Sequence, residues 1–391
     1  MNNVLTYNIT TLNKIAPCGL AELPQERFII YKNDEIQNPE GILVRSAKIN
    51  ELSDGLLAIA RAGAGVNNIP VEECTKKGIV VFNTPGANAN AVKELVIASL
   101  IFSSRNVYQG IKWTQELAAT SEVPTLVEAG KSKFAGPEIK GKTLGVMGLG
   151  AIGGLVANAA ANLGMNVIGY DPFITIDAAW NLSSKIEKAI TEINLYNRLD
   201  YLSVHIPVNS ETLHMFNREF FKKCKKGIRI VNFSREELFD NEALLEAIEE
   251  GIVASYTTDF PSAQLLGHPN VITIPHLGSS TPESEETCAT MAATQLRNYL
   301  LYGNIKNSVN FPNCRIPYSG RRRICLFTKN EHSIISSVSN ILATNNLNIN
   351  EMVNRSKKDT AYTIIEVDNS DNNIPIQDIL NIPDVINGRL I

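Results

Sequence analysis

A short glycine turn, Gly148-Leu149-Gly150-Ala151-Ile152-Gly153, lies between an apolar run and a helical pattern, and it constrains the fold of this chain more than any other feature. The run Leu144–Met147 reads as a buried strand, and a helix is expected from Ile152 onward. In that setting Gly148 permits a tight turn and Gly150 lets backbone approach a pyrophosphate. Gly153 lets the helix pack closely on the strand. The helix N-terminus, with Ala151 and Ile152 in its first turn, offers free N–H groups and partial positive charge to phosphates. Eighteen residues beyond Gly153 stands Asp171, closing the next apolar run, MNVIGYDP. A carboxylate there accepts hydrogen bonds from a ribose 2′-hydroxyl and repels a 2′-phosphate, which favours NAD over NADP. A plain strand–helix turn and a surface Asp are the alternative reading of the same residues.

Short apolar runs alternate with helical patterns on both sides of this turn, the sign of parallel α/β architecture. Upstream, FIIYK (28–32), GILVRS (41–46), LLAIARAG (56–63) and GIVVFN (78–83) read as strands, followed by a helix over 91–104. The polar stretch 121–142 reads as a linker. Downstream, YLSVHIP (201–207), IRIVNFS (228–234), VASYTTDF (253–260) and VITIPHL (271–277) read as buried strands of a doubly wound sheet. A long helix is expected over 282–303, and Pro312, Pro317 and Gly320 mark a second linker. The tail then reads strand, helix, a hairpin turning at Lys358-Asp359, helix and strand: a βαββαβ module.

At 391 residues the chain is long enough for two or three domains of roughly 150 residues each. Its 44% hydrophobic and 19% charged residues exclude a disordered protein. Lys plus Arg (36) against Asp plus Glu (40) leaves a net charge of −4 and no basic excess for nucleic acid. No apolar run reaches the ~18 residues of a membrane span, and the start lacks a secretory pattern, so a cytoplasmic protein is expected. Six scattered cysteines without a CxxC pair read as reduced thiols, and the dispersed histidines offer no metal site. Trp113 and Trp180 are read as packing residues.

Chemistry at the reactive end of a nicotinamide needs a proton acceptor beside the hydroxyl and a cation for a carboxylate. His276 closes the strand run VITIPHL, where open α/β sheets place ligands, and an imidazole suits acid–base exchange. Arg235 directly follows IVNFS, and a guanidinium fork matches a carboxylate. A backbone-satisfied His and a solvated Arg are the plain alternatives. His205 reads as lining the pocket or the core.

These motifs resemble the D-isomer-specific 2-hydroxyacid dehydrogenases along nearly the whole chain. The resemblance rests on RAGAGVNNI (61–69), NTPGANANAVKEL (83–95), GLGAIG (148–153), VNFSR (231–235) and PHLGSST (275–281). It implies two Rossmann-like doubly wound domains, substrate and nucleotide-binding, plus a C-terminal α+β ACT-like domain. The implied bounds are 1–104 with 282–312 for the substrate domain, 105–281 for the NAD-binding domain and 321–391 for the ACT-like one. It assigns Arg235 to substrate binding and His276 to acid–base work, and makes Ala62–Val66, with Ala64, Gly65 and Val66, a backbone cradle for a carboxylate. Arg45 and Ser46 resemble the family's phosphate-side contacts, Asn83 and Asn88 could shape the pocket, and His205, Pro207, Asp259, His276 and Gly278 join the cofactor side. The implied reaction is NAD-dependent oxidation of 3-phospho-D-glycerate to 3-phosphohydroxypyruvate, at the head of serine synthesis. Another 2-hydroxy acid, or an NAD-binding regulator with weak turnover, is the alternative. A homodimer or homotetramer is implied, with serine binding or plain oligomerisation as the role of the ACT-like module; only Asn330 and Asn348 stand out there as amide partners.

The chain also departs from the family. Ala263 or Gln264 stands where a Glu partner of the catalytic His is expected, in TTDFPSAQ (257–264). Gln264 could still orient the ring, with Asp259 nearby. Without that ion pair His276 is expected to titrate near its free value, so keto-acid reduction weakens above about pH 6.5. Glu236 and Glu237, directly after Arg235, either pair with it or face outward.

Overall fold

Strands buried on both faces of a sheet need continuous apolar runs, and the chain supplies them in two groups. The computed structural model describes residues 6–117, 122–191, 193–368 and 373–391. It divides into two compact units, Met1–Asn88 with Pro282–Ile391, and Ala89–Thr281.

The first unit holds a five-stranded sheet of β1 (Tyr7–Leu12), β2 (Phe28–Lys32), β3 (Gly41–Val44), β4 (Ala58–Arg61) and β5 (Val80–Phe82), in the order β2-β1-β3-β4-β5. All its pairings are parallel. The strand β1 escapes a reading by apolar runs because its sequence, YNITTL, is half polar. Thr10 and Thr11 are nevertheless buried, their hydroxyls donating to the carbonyls of Asn33 and Tyr31 at the end of β2. One face of the sheet is covered by the long helix Pro282–Tyr302, whose row Cys288, Ala292, Leu296 and Tyr299 is buried. Burying one such leucine contributes about 1.5–3 kcal/mol. The other face packs Ile42, Val44, Ile59 and Val81 around Cys74 of the helix Val71–Lys77.

The second unit is a seven-stranded parallel sheet. Its strands are β6 (Thr143–Met147), β7 (Asn166–Tyr170), β8 (Glu187–Lys188), β9 (Tyr201–Val204), β10 (Ile228–Asn232), β11 (Val253–Thr258) and β12 (Val271–Thr273). Their order, β12-β11-β10-β9-β6-β7-β8, runs outward in both directions from β6. The chain therefore reverses its direction of winding between β6 and β9, and the strand ends there form the crevice that doubly wound sheets use for ligands. The helix Ala89–Arg105 belongs to this unit: Val92, Val96 and Leu100 pack with Leu144, Val146 and Val156. The sequence boundary at 104 thus shifts to Asn88/Ala89, since an apolar row does not reveal which sheet it will cover. The expected linker over 121–142 contains the helix Val123–Gly130 and a short 3₁₀ turn, Lys131–Phe134. Its proline stands at the helix start, where a missing N–H costs nothing. Residue 121 lies outside the described residues.

The tail forms β13 (Arg322–Lys329), β14 (Ile349–Lys357), β15 (Thr360–Val367) and β16 (Val385–Leu390), ordered β14-β15-β13-β16, with antiparallel pairings. Two helices, Ile334–Thr344 and Ile376–Leu380, complete a split βαβ module. Along β13 the side chains alternate. Ile324 and Leu326 meet Val338, Leu342 and Ile379. Cys325 and Phe327 join the core of the first unit, where Phe327 lies 4.5 Å from Phe311 and 6.4 Å from Tyr299 between ring centroids. The tail is therefore packed into the first unit instead of standing as a third body. Trp113 does pack, 5.3 Å from Phe134, but Trp180 is 83% exposed, which corrects its reading as a packing residue.

Candidate functional site

In the second unit the glycine turn directly follows β6. Gly148 has φ +85°, and a Cβ there would lie 2.4 Å from the carbonyl oxygen of His205, at the end of β9. At Gly153 a Cβ would meet the Gly148 carbonyl at 1.8 Å. Both positions therefore require glycine for the turn to close. Gly150 caps the helix Ala151–Asn162, and a Cβ there would meet nothing within 4 Å, so the cradle is open on the side where a pyrophosphate would lie. Asp171 follows β7 directly. Its Oδ2 accepts the Leu149 N–H at 2.8 Å and its Oδ1 the Phe173 N–H at 2.9 Å. The same carboxylate thus props the turn and keeps further acceptor capacity for a hydroxyl pair. His205 bonds Ser203 Oγ through Nε2 at 2.8 Å, and burial pushes its imidazole down to about 4. It is therefore neutral at ordinary pH. The Pro207 carbonyl accepts the Thr212 hydroxyl at 2.7 Å.

The ends of β10, β11 and β12 carry the other candidates. Asn232, fully buried at the end of β10, donates to the Arg235 carbonyl at 2.8 Å and to Tyr256 Oη at 3.0 Å, fixing the backbone from which Arg235 projects. The Arg235 side chain is exposed, and its Nη1 donates to the Ser234 carbonyl at 2.7 Å. Glu236 instead accepts from Asn241 at 3.4 Å, and Arg235 forms no ion pair with either neighbouring glutamate among the described residues. Asp259 is buried after β11, with Oδ2 accepting the Gly278 N–H at 3.1 Å and Oδ1 without a partner among the described residues. Burial raises its carboxyl above the usual range, against the opposing pull of the Gly278 amide, His276 and Arg235. The His276 ring is exposed and lies 4.8 Å from that of Phe260. Gln264 lies elsewhere, exposed in a small cleft with His214, Glu236 and Asn241.

In the first unit the loop Ala62–Val66 follows β4. The amides of Ala64, Gly65 and Val66 donate to no acceptor among the described residues, which leaves a backbone nest suited to a carboxylate. A half-buried relay supports it. Asn307 donates to Gln295 Oε1 at 2.7 Å, Gln295 to the Asn83 carbonyl at 3.0 Å, and Asn83 Nδ2 to the Ala64 carbonyl at 2.6 Å. Asn83 was legible in the sequence, whereas Gln295 and Asn307 are ordinary amides in a helix and a turn until the fold brings them under the loop. Arg45, after β3, is paired with Glu285 Oε1 at 2.7 Å, and its carbonyl accepts from Arg61 Nε at 3.0 Å. Burial lowers the Arg61 guanidinium, with Arg45 adding to the effect. Ser46 hangs on Asn13, whose Oδ1 accepts its N–H at 2.9 Å. Asn13 has φ +70°, a conformation asparagine tolerates.

Burial pushes the thiols of Cys74, Cys224 and Cys314 up, to about 11, 12 and 12, as expected of structural cysteines. Among the described residues no group of His, Cys, Asp and Glu could hold a metal, and no helix is long and apolar enough to cross a membrane. In the tail, Asn330 donates to the Lys358 carbonyl at 3.3 Å and so serves the hairpin, while the Asn348 carbonyl accepts the Asp368 N–H at 3.1 Å.

Known proteins show similar features. The chain is 36% identical over 291 residues to the D-3-phosphoglycerate dehydrogenase of Methanocaldococcus jannaschii, covering 72% of this chain and 53% of that protein. It is 32% identical over 326 residues to the Bacillus subtilis protein of the same name, covering 78% and 59%. The chain spans just over half the length of these curated relatives. An NAD+-bound 3-phosphoglycerate dehydrogenase structure from Entamoeba histolytica superposes with a TM-score of 0.60 at 27% identity, covering 78% of this chain and 99% of that one. Residues 97–278 match the family model of the D-isomer specific 2-hydroxyacid dehydrogenase NAD binding domain.

Proposed function

We propose that the chain is an NAD-dependent D-3-phosphoglycerate dehydrogenase that oxidises 3-phospho-D-glycerate to 3-phosphohydroxypyruvate. The observation that carries this reading is the glycine turn propped by Asp171, in a chain whose relatives bear that name. The open cradle at Gly150 and the first-turn amides of Ala151 and Ile152 fit the pyrophosphate of NAD, Asp171 its ribose, and His205, Pro207 and Gly278 the walls. When bound, NAD supplies the hydride acceptor.

The protein's part is binding and proton transfer. In the second unit Arg235 binds the substrate, and in the first unit the amides of Ala64, Gly65 and Val66 form a backbone cradle for a carboxylate. His276 takes the proton of the C2 hydroxyl at an imidazole nitrogen, with Phe260 beside its ring. Asp259 positions the pair through the Gly278 amide and through its charge. Arg45 and Ser46 receive the phosphate.

Glu285 supports a second reading, oxidation of a plain 2-hydroxy acid, because it already offsets the charge of Arg45. An assay of NADH formation with phosphorylated and plain 2-hydroxy acids decides between the two. NADH formed faster from 3-phosphoglycerate supports the first reading, whereas turnover confined to plain acids overturns it. We also infer that the tail module is an ACT-like domain whose role is assembly of a homodimer or homotetramer, since Asn330 is used within its own hairpin. Sedimentation with and without serine tests this: a serine-dependent change of mass points to a sensor instead.

A further inference from the structure

A groove of about 750 Å³ runs along the returning helix of the first unit, between Cys18 and the segment after the helix. That volume lies within the roughly 300–1,000 Å³ of small-molecule sites. Its charge follows from chain register. Ile305 and Cys314 form an isolated antiparallel bridge and are both buried. Side chains alternate along extended backbone, so Lys306 and Arg315 turn outward and line the groove. Neither has a hydrogen bond or ion pair among the described residues, whereas Arg297, on the same helix, is held by Glu22 at 2.7 Å. The helix adds Thr290, Thr294 and Asn298, successive residues of one face. The side chains of Thr290 and Asn298 also lack partners among the described residues. Glu286 is the one carboxylate in the lining, set against these two cations.

The groove also touches the substrate side of its own unit. Gln295 and Asn307 line it, and they begin the relay that ends on the Ala64 carbonyl. Gln295 is only 6% exposed, so its amide cannot turn without breaking that relay. Asn307 directly follows Lys306 and has φ +59°.

We propose that this groove is an effector site for a small phosphate-bearing metabolite. Lys306 and Arg315 hold the phosphate, Thr290 and Asn298 hold its hydroxylated body, and occupancy shifts the Ala62–Val66 loop through Asn307, Gln295 and Asn83. The coupling part rests on the reading of that loop as the substrate's carboxylate cradle; the binding part does not. Calorimetric titration of the full chain with inorganic phosphate and with glycerol 3-phosphate tests the binding, in an Arg45→Ala background held in saturating NAD, so that neither Arg45 nor the glycine turn takes the phosphate. Saturable binding is expected, with glycerol 3-phosphate the tighter. It should weaken about tenfold for each of Lys306→Ala and Arg315→Ala, as loss of one charge-assisted bond does. Both side chains are exposed, so the variants should melt like the parent. No binding, or binding indifferent to both substitutions, overturns the site. In the chain with Arg45 intact, either ligand should change the KM for 3-phosphoglycerate, and Gln295→Leu should abolish that change while binding persists. A KM that does not move overturns the coupling. Absence of any turnover would instead count against the proposed reaction, with the titration still reporting on the site.

Discussion

The guanidinium of Arg45 lies 2.7 Å from the carboxylate of Glu285, in the first turn of the helix that returns to the first unit. The residue proposed to receive the substrate phosphate is therefore already engaged by an internal anion. Each partner is about two-fifths exposed, at 40% and 44%, so the pair is worth about 0.3–1 kcal/mol. Replacing Glu285 by Gln should lower the KM for 3-phosphoglycerate about two- to fivefold and leave kcat nearly unchanged. Arg45→Ala should raise it about tenfold or more while sparing unphosphorylated acids. Steady-state kinetics on both substrate types check this; equal effects on the two would remove Arg45 from phosphate binding.

Gly148→Ala should impair both folding and dinucleotide binding. Its φ of +85° and the His205 carbonyl 2.4 Å from a Cβ leave the turn no way to keep its shape. A positive φ alone costs an L-residue about 1–2 kcal/mol. We expect a lower melting temperature and a loss of NADH binding, read by nucleotide fluorescence. Unchanged binding would show that the turn does not hold the dinucleotide.

Asp171 has two possible roles, propping Leu149 and reading the ribose. Asp171→Ala should weaken NADH binding about tenfold and leave NADPH binding equal or better, since a repelling charge has gone. Equal weakening of both would mean that Asp171 serves the turn alone.

Acid should destabilise the second unit through His205. Its imidazole is held near 4 in the fold and returns to about 6.5 when unfolded. The unfolded chain therefore binds the proton first. The stability held by a neutral His205 is complete above about pH 6.5 and falls as pH drops towards 4, by up to about 3 kcal/mol. Urea melts across that range, compared with His205→Asn, should show a shallower loss in the variant.

In the tail, Arg323 and Glu366 form a fully buried pair at 2.7 Å. Arg323 also donates to the carbonyls of Tyr302, Ile316 and Pro317, which fastens the module to the end of the returning helix. Glu366→Leu should destabilise the fold by about 3–5 kcal/mol, because it leaves a buried guanidinium unpaired. Burial alone would raise the Glu366 carboxyl, but bonds from Ser319 and Arg323 outweigh it and hold it below the usual range. Its contribution is therefore present above the unfolded value of about 4.3 and is lost as pH falls through the folded one. A variant that melts like the parent would mean that the pair does not anchor the module.

Some of this was visible in the amino-acid order. The glycine turn, Asp171, the strand-end positions of Arg235 and His276, and the βαββαβ tail follow from local spacing, because turns, helix starts and strand periods are set within a few residues. Side-chain partnerships were not visible. The glutamate missing at 263 or 264 left Asp259 as a nearby carboxylate, but its burial and its bond from the Gly278 amide were not legible. The strand Tyr7–Leu12 was hidden because its buried threonines satisfy their hydroxyls on the neighbouring strand and the turn directly after it.

By itself, then, the sequence determined a parallel α/β chain with a dinucleotide turn, its acid and two strand-end candidates. Only the tertiary structure decided that Ala89–Arg105 covers the second sheet, that the tail shares the core of the first unit, and that Glu285 occupies Arg45. The physical reason is range. Spacing along the chain governs turns and helix ends, whereas burial and pairing depend on which distant residues the fold brings into contact.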